Sequence, residues 1–300
     1  MSDSRGGHGP TPAPRASSGV SRTERGTSAR EFDFSAGDFE RVRKLIYQHA
    51  GISLSPVKQD MVYSRLARRL RATGKASFGE YLDALERNGG DEWERFVNSL
   101  TTNLTSFFRE AHHFPIFADH LRKIGTRRPI RVWCSAASTG EEPYSIAITV
   151  AETFGTGVSH VSIMASDLDT NVLATAQKGI YPIERVEKLS PERLRKFFLR
   201  GTGAQEGYVS VRPELRRMIE FQRINLLDQA YSVKGPIDVI FCRNVMIYFD
   251  KPTQYKILSR FAPMMNPDGL MFAGHSESFL HAADLFKSQG KTVYALAGAR

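Results

Sequence analysis

The stretch that decides the fold runs from residue 130 to residue 145 and reads IRVWCSAASTGEEPYS. Its first five residues are mostly apolar and favour a buried strand, and the residues from Pro143 onward have the periodicity of a helix. The small residues between these two segments let a ligand approach the backbone closely. The stretch therefore predicts a strand, a ligand-binding loop and a helix in succession.

Short β-rich runs alternate with helical runs on both sides of this unit, which is typical of a mostly parallel sheet covered on both faces. The alternation predicts a doubly wound, Rossmann-like α/β domain. One segment, residues 200–215, interrupts the pattern, because its glycines and alternating apolar residues predict an inserted hairpin. We expect core strands at residues 130–134, 161–166, 219–224, 237–242, 269–273 and 292–297.

The N-terminal third differs from the rest. Residues 1–30 are rich in Gly, Pro, Ser and Thr and hold few large apolar side chains, so we expect a disordered tail. Residues 31–100 show helical periodicity in four segments and predict a small all-helical domain. The α/β domain then covers residues 101–300, with an antiparallel β-subdomain inserted at about residues 180–217.

Composition excludes several classes of protein. No run approaches the ~20 apolar residues that a membrane helix needs, and the N-terminus lacks the apolar core of a signal peptide, so we expect a cytoplasmic protein. Cys134 and Cys242 lie inside apolar runs, which predicts buried, reduced thiols. The histidines show no spacing typical of metal ligands, so we expect no metal.

The loop after the first strand lacks the G-x-G-x-x-G pattern that packs a pyrophosphate against a helix, which disfavours a dinucleotide. In its place, Glu141 and Glu142 stand at the start of a helix, where a carboxylate can pair with the ammonium of an amino-acid-like cofactor. Asp167 follows the next strand, 27 residues beyond Gly140, and is a candidate partner for ribose hydroxyls.

Two further strands end in particular polar residues. Asn225 and Leu226 follow one strand and offer an amide and an apolar face for an adenine ring, while Arg243 and Asn244 follow another. Ligands bind beyond the carboxyl ends of the strands in such sheets, so these groups are expected to meet. Together they predict a nucleoside attached to an amino acid without phosphate, which describes S-adenosylmethionine.

Four motifs go beyond this general pattern: TNLTSFFRE at residues 102–110, AASTGEEPYS at 136–145, FCRNVMIYF at 241–249 and GHSES at 274–278. In these motifs, and collinearly over roughly residues 32–298, the chain resembles the CheR chemotaxis receptor methyltransferases. The resemblance implies a class I methyltransferase domain that uses S-adenosylmethionine, and methylation of receptor glutamates that releases S-adenosylhomocysteine.

The resemblance also implies roles for individual residues. Glu141, rather than Glu142, is similar to the family's ammonium partner, and Asp167 to its ribose partner. Arg109 and Tyr248 are similar to the pair nearest the reacting methyl group. The remaining cofactor contacts implied by the motifs are Asn103, Thr105, Arg109, Asn225, Leu226, Arg243 and Asn244.

The partner prediction rests on charge. The formal net charge is +9, of which +6 remains outside residues 1–30. At 100° per residue, Lys58, Arg68 and Arg69 fall close to Arg65 and opposite an apolar stripe, so we expect an outward basic face that includes Arg71. We call these five residues the basic face. From the residues alone, an ordinary solvated face, an RNA-binding face or a face for an acidic helix are all open.

The family resemblance favours the acidic helix, that is, the cytoplasmic helical domain of a membrane chemoreceptor, over nucleic acid. A binding module without catalytic activity is a further alternative. The inserted β-subdomain is similar to one that some family members use to bind a receptor's C-terminal peptide by strand addition. We expect a monomer that does not insert into the membrane.

Overall fold

The computed structural model describes residues 30–101 and 104–298, so the predicted tail, apart from Arg30, and Asn103 lie outside the described residues. One compact unit begins at Phe32. Its first part consists of four helices, as the periodicity predicts: α1 (Ala36–Ala50), α2 (Gln59–Thr73), α3 (Phe78–Asn88) and α4 (Asp91–Leu100).

Local sequence signals set the ends of these helices. Ser35 and Asp38 form a reciprocal capping box at the start of α1, which satisfies backbone N–H groups that have no partner within the helix. Gly51 ends α1 and Gly74 ends α2, each in the left-handed conformation that costs glycine little. The apolar stripes of the four helices meet in one core that contains Val42, Ile46, Leu66, Leu82 and Phe96 among others.

The α/β part is built on a seven-stranded sheet with the strand order β6-β2-β1-β7-β8-β10-β9. The first five strands in this order pair in parallel, whereas β10 pairs antiparallel with both β8 and β9, which confirms the predicted mostly parallel sheet. The bounds are β1 (Ile130–Cys134), β2 (Val161–Asp167), β6 (Ile219–Arg223), β7 (Ile237–Cys242), β8 (Met265–Ala273), β9 (Phe286–Ser288) and β10 (Val293–Leu296).

Helices cover both faces of this sheet. Alternate residues of β7 point to opposite sides, so that Val239 and Phe241 enter one core cluster while Ile240 and Cys242 enter the other. The two cysteines are buried free thiols, as predicted. The helices of this part are α5 (His113–Ile124), α6 (Glu141–Phe154), α7 (Thr170–Lys178), α8 (Pro191–Phe197), α9 (Pro213–Arg216) and α10 (Lys251–Phe261).

The inserted β-subdomain is a separate antiparallel sheet with the order β3-β5-β4. The predicted hairpin corresponds to β4 (Phe198–Arg200) and β5 (Tyr208–Val211), and the third strand, β3 (Ile180–Pro182), was not foreseen. A three-residue strand leaves almost no periodic signal in the sequence. For the same reason the edge strand β9 was missed.

The helix α5 begins only at His113, and Glu110, three residues before it, has a left-handed φ of 53°. A non-glycine residue in this conformation marks a constraint from elsewhere in the structure. Among the described residues, the helices are all too short or too polar to cross a bilayer.

Candidate active site

A cavity lies at the carboxyl ends of β1, β2 and β7, where open α/β sheets bind their ligands. The helical part closes one side of it with Ala50, Ile52, Leu54 and Lys58. The lining also contains nearly all the predicted cofactor and catalytic residues, namely Thr105, Arg109, Asp167, Asn225, Leu226, Arg243, Asn244 and Tyr248. Residues distant in sequence therefore meet in one place, as the strand-end argument predicts.

The two adjacent glutamates face different surroundings. Glu142 lines the cavity, whereas Glu141 does not. The buried carboxylate of Glu141 faces the β-subdomain, where it lies 2.5 Å from Nη2 of Arg185, and it accepts a hydrogen bond from the Thr139 hydroxyl at 2.6 Å. Successive residues of a helix point about 100° apart, so two adjacent carboxylates in the first turn do not share one cavity. Of the two glutamates, only Glu142 therefore presents its carboxylate to the cavity.

Arg243 lines the cavity and contacts several other residues of the site. Its side chain is only 1% exposed, and its Nη1 lies 2.5 Å from Glu142 Oε2 while its Nη2 lies 3.5 Å from Glu110 Oε2. Its Nη2 also donates to the backbone carbonyl of Arg109. Burial raises the pKa of Glu142, and the charge of Arg243 opposes that rise. The guanidinium thus joins the strand end at β7 to the segment that carries Arg109.

Asp167 ends β2 with its carboxylate already oriented. Its two oxygens accept backbone N–H groups from Ser138 at 2.8 Å and from Asp169 at 3.0 Å. Carboxylate oxygens have further lone pairs, which can accept ribose hydroxyls from the cavity. A carboxylate at Glu142, cations at Arg109 and Arg243, and the apolar faces of Leu226 and Phe249 fit the zwitterionic amino acid and the nucleoside of S-adenosylmethionine.

Glu277 is a buried residue whose role the sequence argument missed, although it lies inside the GHSES motif. Its carboxylate accepts the backbone N–H of Asn244 at 3.0 Å, that of Met246 at 2.8 Å and that of Gly274. Asn244 has a left-handed φ of 58°, so the turn after β7 needs such an anchor. Glu277 therefore fixes the turn that presents Asn244 to the cavity.

Arg109 and Tyr248 approach the cavity from different elements. Nη1 of Arg109 donates to the Leu104 carbonyl at 2.9 Å, which orients the rest of the guanidinium. Tyr248 lies on a short 3₁₀ turn, its carbonyl accepts the Ser53 N–H at 2.7 Å, and Nζ of Lys58 lies 5.5 Å from its ring centroid. The helical part thus contacts the tyrosine predicted to be catalytic.

The predicted basic face is only partly outward. Arg68 and Arg71 are exposed, but Arg65 is half-buried and donates to the carbonyls of Leu100 and Thr101 at 3.1 and 2.6 Å. Arg69 forms a bidentate ion pair with Glu92, which joins α2 to α4. The helical-wheel argument failed here because it treated α2 as an isolated helix, without α4 beside it.

Lys58 is a third exception, since it precedes α2 and lines the cavity instead of facing outward from the helix. Arg65, Arg68 and Arg69 line a separate shallow hollow together with Arg95 and Asn171. The five residues predicted to bind substrate therefore divide between the cavity and the surface beside it.

Glu110, His112 and His113 lie close enough together to hold a metal ion, a grouping that the spacing argument did not foresee. Nη2 of Arg243, a permanent cation, lies 3.5 Å from Glu110 Oε2 and disfavours a metal there. Burial by itself would raise the pKa of Glu110, but its hydrogen bond with His275 and the charge of Arg243 outweigh burial and hold that pKa at about 2.

Gly140 gives a direct test of the loop that precedes α6. Its φ is +100°, and a Cβ there would lie 2.7 Å from the Tyr181 hydroxyl and 2.8 Å from the Ala176 Cβ. We expect Gly140→Ala to lower the free energy of unfolding by about 1–3 kcal/mol and to weaken cofactor binding. Urea unfolding and calorimetry with S-adenosylmethionine measure the two effects. Gly157→Ala, where a Cβ meets nothing within 4 Å, is the control and should change neither.

Stability should fall in mild acid because His113 is buried. Burial lowers the pKa of His113 from 6.5 to about 4, so the unfolded chain binds a proton in a pH range where the folded protein does not. The stabilisation is complete above about pH 6.5 and is lost as the pH falls towards about 4, a change on the order of 2–3 kcal/mol. Urea unfolding between these pH values should show a shallower pH dependence for His113→Gln than for the wild type. An unchanged slope in that variant would contradict the assignment, and exposed His112→Gln is the control.

Comparison with known proteins agrees with this geometry. Residues 37–101 match the family model described as "CheR methyltransferase, all-alpha domain", and residues 103–295 match "CheR methyltransferase, SAM binding domain". The chain is 56% identical over 259 residues to the chemotaxis protein methyltransferase of Escherichia coli K12, covering 86% of this chain and 90% of that protein. It is 52% identical over 267 residues to chemotaxis protein methyltransferase 2 of Pseudomonas aeruginosa, covering 89% and 95%.

The fold class predicted from the sequence is confirmed, and so is the predicted family. Both family models match collinearly, the first to the four helices and the second to the α/β part that holds the cavity. The matched α/β domain is one that binds SAM, so S-adenosylmethionine is the cofactor. From these matches over most of its length, the chain belongs to the CheR methyltransferase family.

Proposed function

We propose that this protein transfers a methyl group from S-adenosylmethionine to glutamate side chains of chemoreceptors, forming glutamate 5-O-methyl esters and S-adenosylhomocysteine. The observation that carries the proposal is that the predicted cofactor residues share one cavity with Arg109 and Tyr248. The chemotaxis methyltransferases that the chain resembles support chemoreceptors as the substrate class.

The reaction requires little acid–base catalysis from the protein. A glutamate side chain has a reference pKa of about 4.3, so the incoming carboxylate is already ionised at neutral pH and needs no general base. When bound, S-adenosylmethionine supplies an activated methyl group on a sulfonium. The carboxylate oxygen would take this methyl group, and S-adenosylhomocysteine would leave with the electron pair of the broken carbon–sulfur bond on its sulfur.

The protein's contribution is therefore mainly orientation. Aligning the carboxylate oxygen with the methyl–sulfur bond in a site shielded from water can supply on the order of 7–11 kcal/mol. Arg109 is suited to orienting the carboxylate because a guanidinium offers several N–H donors in a fixed plane. Tyr248 is suited to shaping the methyl pocket or donating a hydrogen bond to the incoming oxygen.

We assign cofactor binding to Asn103, Thr105, Arg109, Glu142, Asp167, Asn225, Leu226, Arg243 and Asn244. Glu142 replaces Glu141 in this set because only Glu142 lines the cavity. The helical part, residues 31–100, would recognise the receptor, and residues 101–300 would carry catalysis. Lys58 is well placed to attract the substrate carboxylate into the cavity, since it is the cation that the helical part contributes to the lining.

The decisive experiment is transfer of a radiolabelled methyl group from S-adenosylmethionine to membranes that bear chemoreceptors, with bulk RNA assayed in parallel. We expect label on receptor glutamates as base-labile ester and none on RNA. Label on RNA alone would replace the proposal with RNA methylation. Receptor binding without any methyl transfer would support a binding module without catalysis.

The basic face should govern receptor affinity through its exposed members. Arg68 is exposed on α2, so reversing its charge with Arg68→Glu is expected to raise KM for receptors about three- to tenfold and to leave the Kd for S-adenosylmethionine unchanged. The effect should shrink at high salt because exposed charges are screened. Arg122→Glu on α5, whose side chain is 61% exposed, is the matched control and should leave KM unchanged. An equal KM in both variants would argue against the basic face.

The remaining partner assignments are more specific. We propose that the protein acts in the cytoplasm as a monomer, which sedimentation can test.

We also propose that the β-subdomain binds the C-terminal peptide of a receptor along the edge of its sheet, where β3 and β4 each have one unpaired side. Calorimetry with the C-terminal peptides of receptors from the same cell should detect binding, and no heat with any of them would remove the peptide from the proposal.

A further inference from the structure

The β-subdomain contacts the loop that forms the floor of the cofactor cavity. We call residues 138–142 the cofactor loop, because Ser138 and Glu142 both line the cavity. The Tyr181 hydroxyl on β3 donates a hydrogen bond to the carbonyl of Thr139 in this loop at 2.8 Å. Arg185, three residues beyond β3, lies 2.5 Å from Glu141 Oε1 through its Nη2. Two side chains of the insertion therefore hold the loop directly.

The two partners of the ion pair between Arg185 and Glu141 differ in their exposure to solvent. The Glu141 side chain is 0% exposed, whereas that of Arg185 is 40% exposed. A nearby opposite charge stabilises a buried carboxylate, because burial removes its solvation by water. The Glu141 carboxylate also accepts a hydrogen bond from the hydroxyl of Thr139, which is neutral. Arg185 is thus the countercharge that allows Glu141 to remain buried at the start of α6.

Glu141 stands between two groups that face the cofactor. Its neighbour Glu142 presents its carboxylate to the cavity, and the backbone N–H of Ser138, three residues earlier, orients Asp167 with a 2.8 Å hydrogen bond. A shift of Glu141 would therefore move both carboxylates assigned to the cofactor. Glu141 acts on the cofactor through the loop and does not contact it.

The same subdomain also supports the other side of the cavity. Phe107 lies between Thr105 and Arg109, which both line the cavity, and its ring packs edge-on against Tyr181 and Phe198 at centroid distances of 5.2 and 5.5 Å. Tyr181 is therefore shared between the cofactor loop and the segment that carries Arg109. Besides Arg243, which contacts both Glu142 and the carbonyl of Arg109, the insertion therefore provides a second connection between these two parts of the active site.

We propose that Arg185 and Tyr181 are positioning residues for the cofactor, and that the β-subdomain completes the S-adenosylmethionine site through Glu141. This assigns the insertion a role in cofactor binding that is separate from any receptor peptide. The inference rests on the proposed placement of the cofactor in the cavity, and its test uses cofactor binding without any receptor.

The experiment is calorimetric titration of the full chain with S-adenosylmethionine. We expect Arg185→Gln to raise the Kd about five- to tenfold, because Glu141 loses its countercharge and the loop relaxes. Arg185→Lys should recover most of the affinity, since it retains the charge. Tyr181→Phe, which keeps the aromatic packing but removes the hydroxyl, should raise the Kd about twofold to fivefold.

A matched control separates positioning from general stability. Arg128 is 35% exposed and pairs with Asp238, which is 1% exposed, so this pair has the same burial pattern as Arg185 and Glu141. It lies at the start of β7, at the opposite end of the sheet from the cavity. We expect Arg128→Gln to lower the unfolding temperature to a similar extent while leaving the Kd unchanged.

Two results would overturn the inference. One is an unchanged Kd in Arg185→Gln alongside a lowered unfolding temperature, which would make the pair merely structural. The other is that Arg185→Gln lowers the affinity by the same factor in the Glu141→Gln variant as in the wild type. The neutral side chain of that variant no longer needs a countercharge, so the effect of Arg185→Gln should be smaller there. If the wild-type protein itself bound no S-adenosylmethionine, the placement of the cofactor would be wrong, which is a different failure.

Discussion

Replacing Arg243 with methionine is expected to lower the free energy of unfolding by about 3–5 kcal/mol. Methionine approximates the stem of arginine but carries no charge, so Glu142 and Glu110 would lose a cation that lies 2.5 and 3.5 Å from their oxygens. Leaving buried carboxylates without their countercharge is far more costly than losing an exposed ion pair. Urea unfolding at neutral pH measures the change.

The same variant should also weaken S-adenosylmethionine binding by roughly 100-fold, because Glu142 would be displaced or protonated at the cavity wall. The control is Arg122→Met, since Arg122 and its partner Asp119 are 61% and 69% exposed, and we expect a change within about 0.5 kcal/mol. Wild-type stability and affinity in Arg243→Met would show that the network around this residue has no organising role.

The second large effect concerns turnover. We expect Arg109→Ala to lower kcat for receptor methylation by about 100-fold or more, because a misplaced carboxylate loses the alignment on which the reaction depends. Tyr248→Phe should lower kcat about tenfold, since it removes one hydroxyl but keeps the ring packed against the helical part. Single-turnover methylation of receptor fragments at saturating S-adenosylmethionine separates these effects from cofactor binding.

A control for the second prediction is Tyr255→Phe. Tyr255 lies on the exposed face of α10, where its hydroxyl contacts Asp284, and it does not line the cavity. We expect normal kcat in this variant. Wild-type turnover in both Arg109→Ala and Tyr248→Phe would contradict the roles proposed for these residues, even if the receptor remained the substrate.

Much of the cavity could be foreseen from local sequence signals. Asp167, Asn225, Arg243 and Asn244 each follow a predicted strand, and parallel strands bring their carboxyl ends to one edge, so a correct strand assignment is enough to group them. Glu141 shows the limit of this reasoning. Spacing alone does not distinguish two adjacent acids, and the resemblance favoured Glu141. In the structure the Glu141 carboxylate turns from the cavity towards Arg185, which lies 44 residues away in the sequence.

The basic face shows the same limit in the helical part. Periodicity correctly predicts that Val62, Leu66 and Leu70 form the buried side of α2, because the apolar residues recur at helical spacing. It does not predict that Arg65 turns towards the carbonyls at the end of α4. That contact joins residues 35 and 36 positions apart and depends on the packing of α2 against α4, so no local pattern encodes it.

The strand–loop–helix stretch at residues 130–145, together with the alternation around it, determined the fold class and the absence of a phosphate-binding glycine loop. The motifs determined the family, because side-chain chemistry at fixed positions is carried by the sequence directly. Only the tertiary structure decided that Glu142 faces the cavity, that Glu277 anchors the turn at Asn244 and that the β-subdomain holds the cofactor loop. These contacts join residues far apart in the chain, and their direction is set by packing and by the pairing of buried charges.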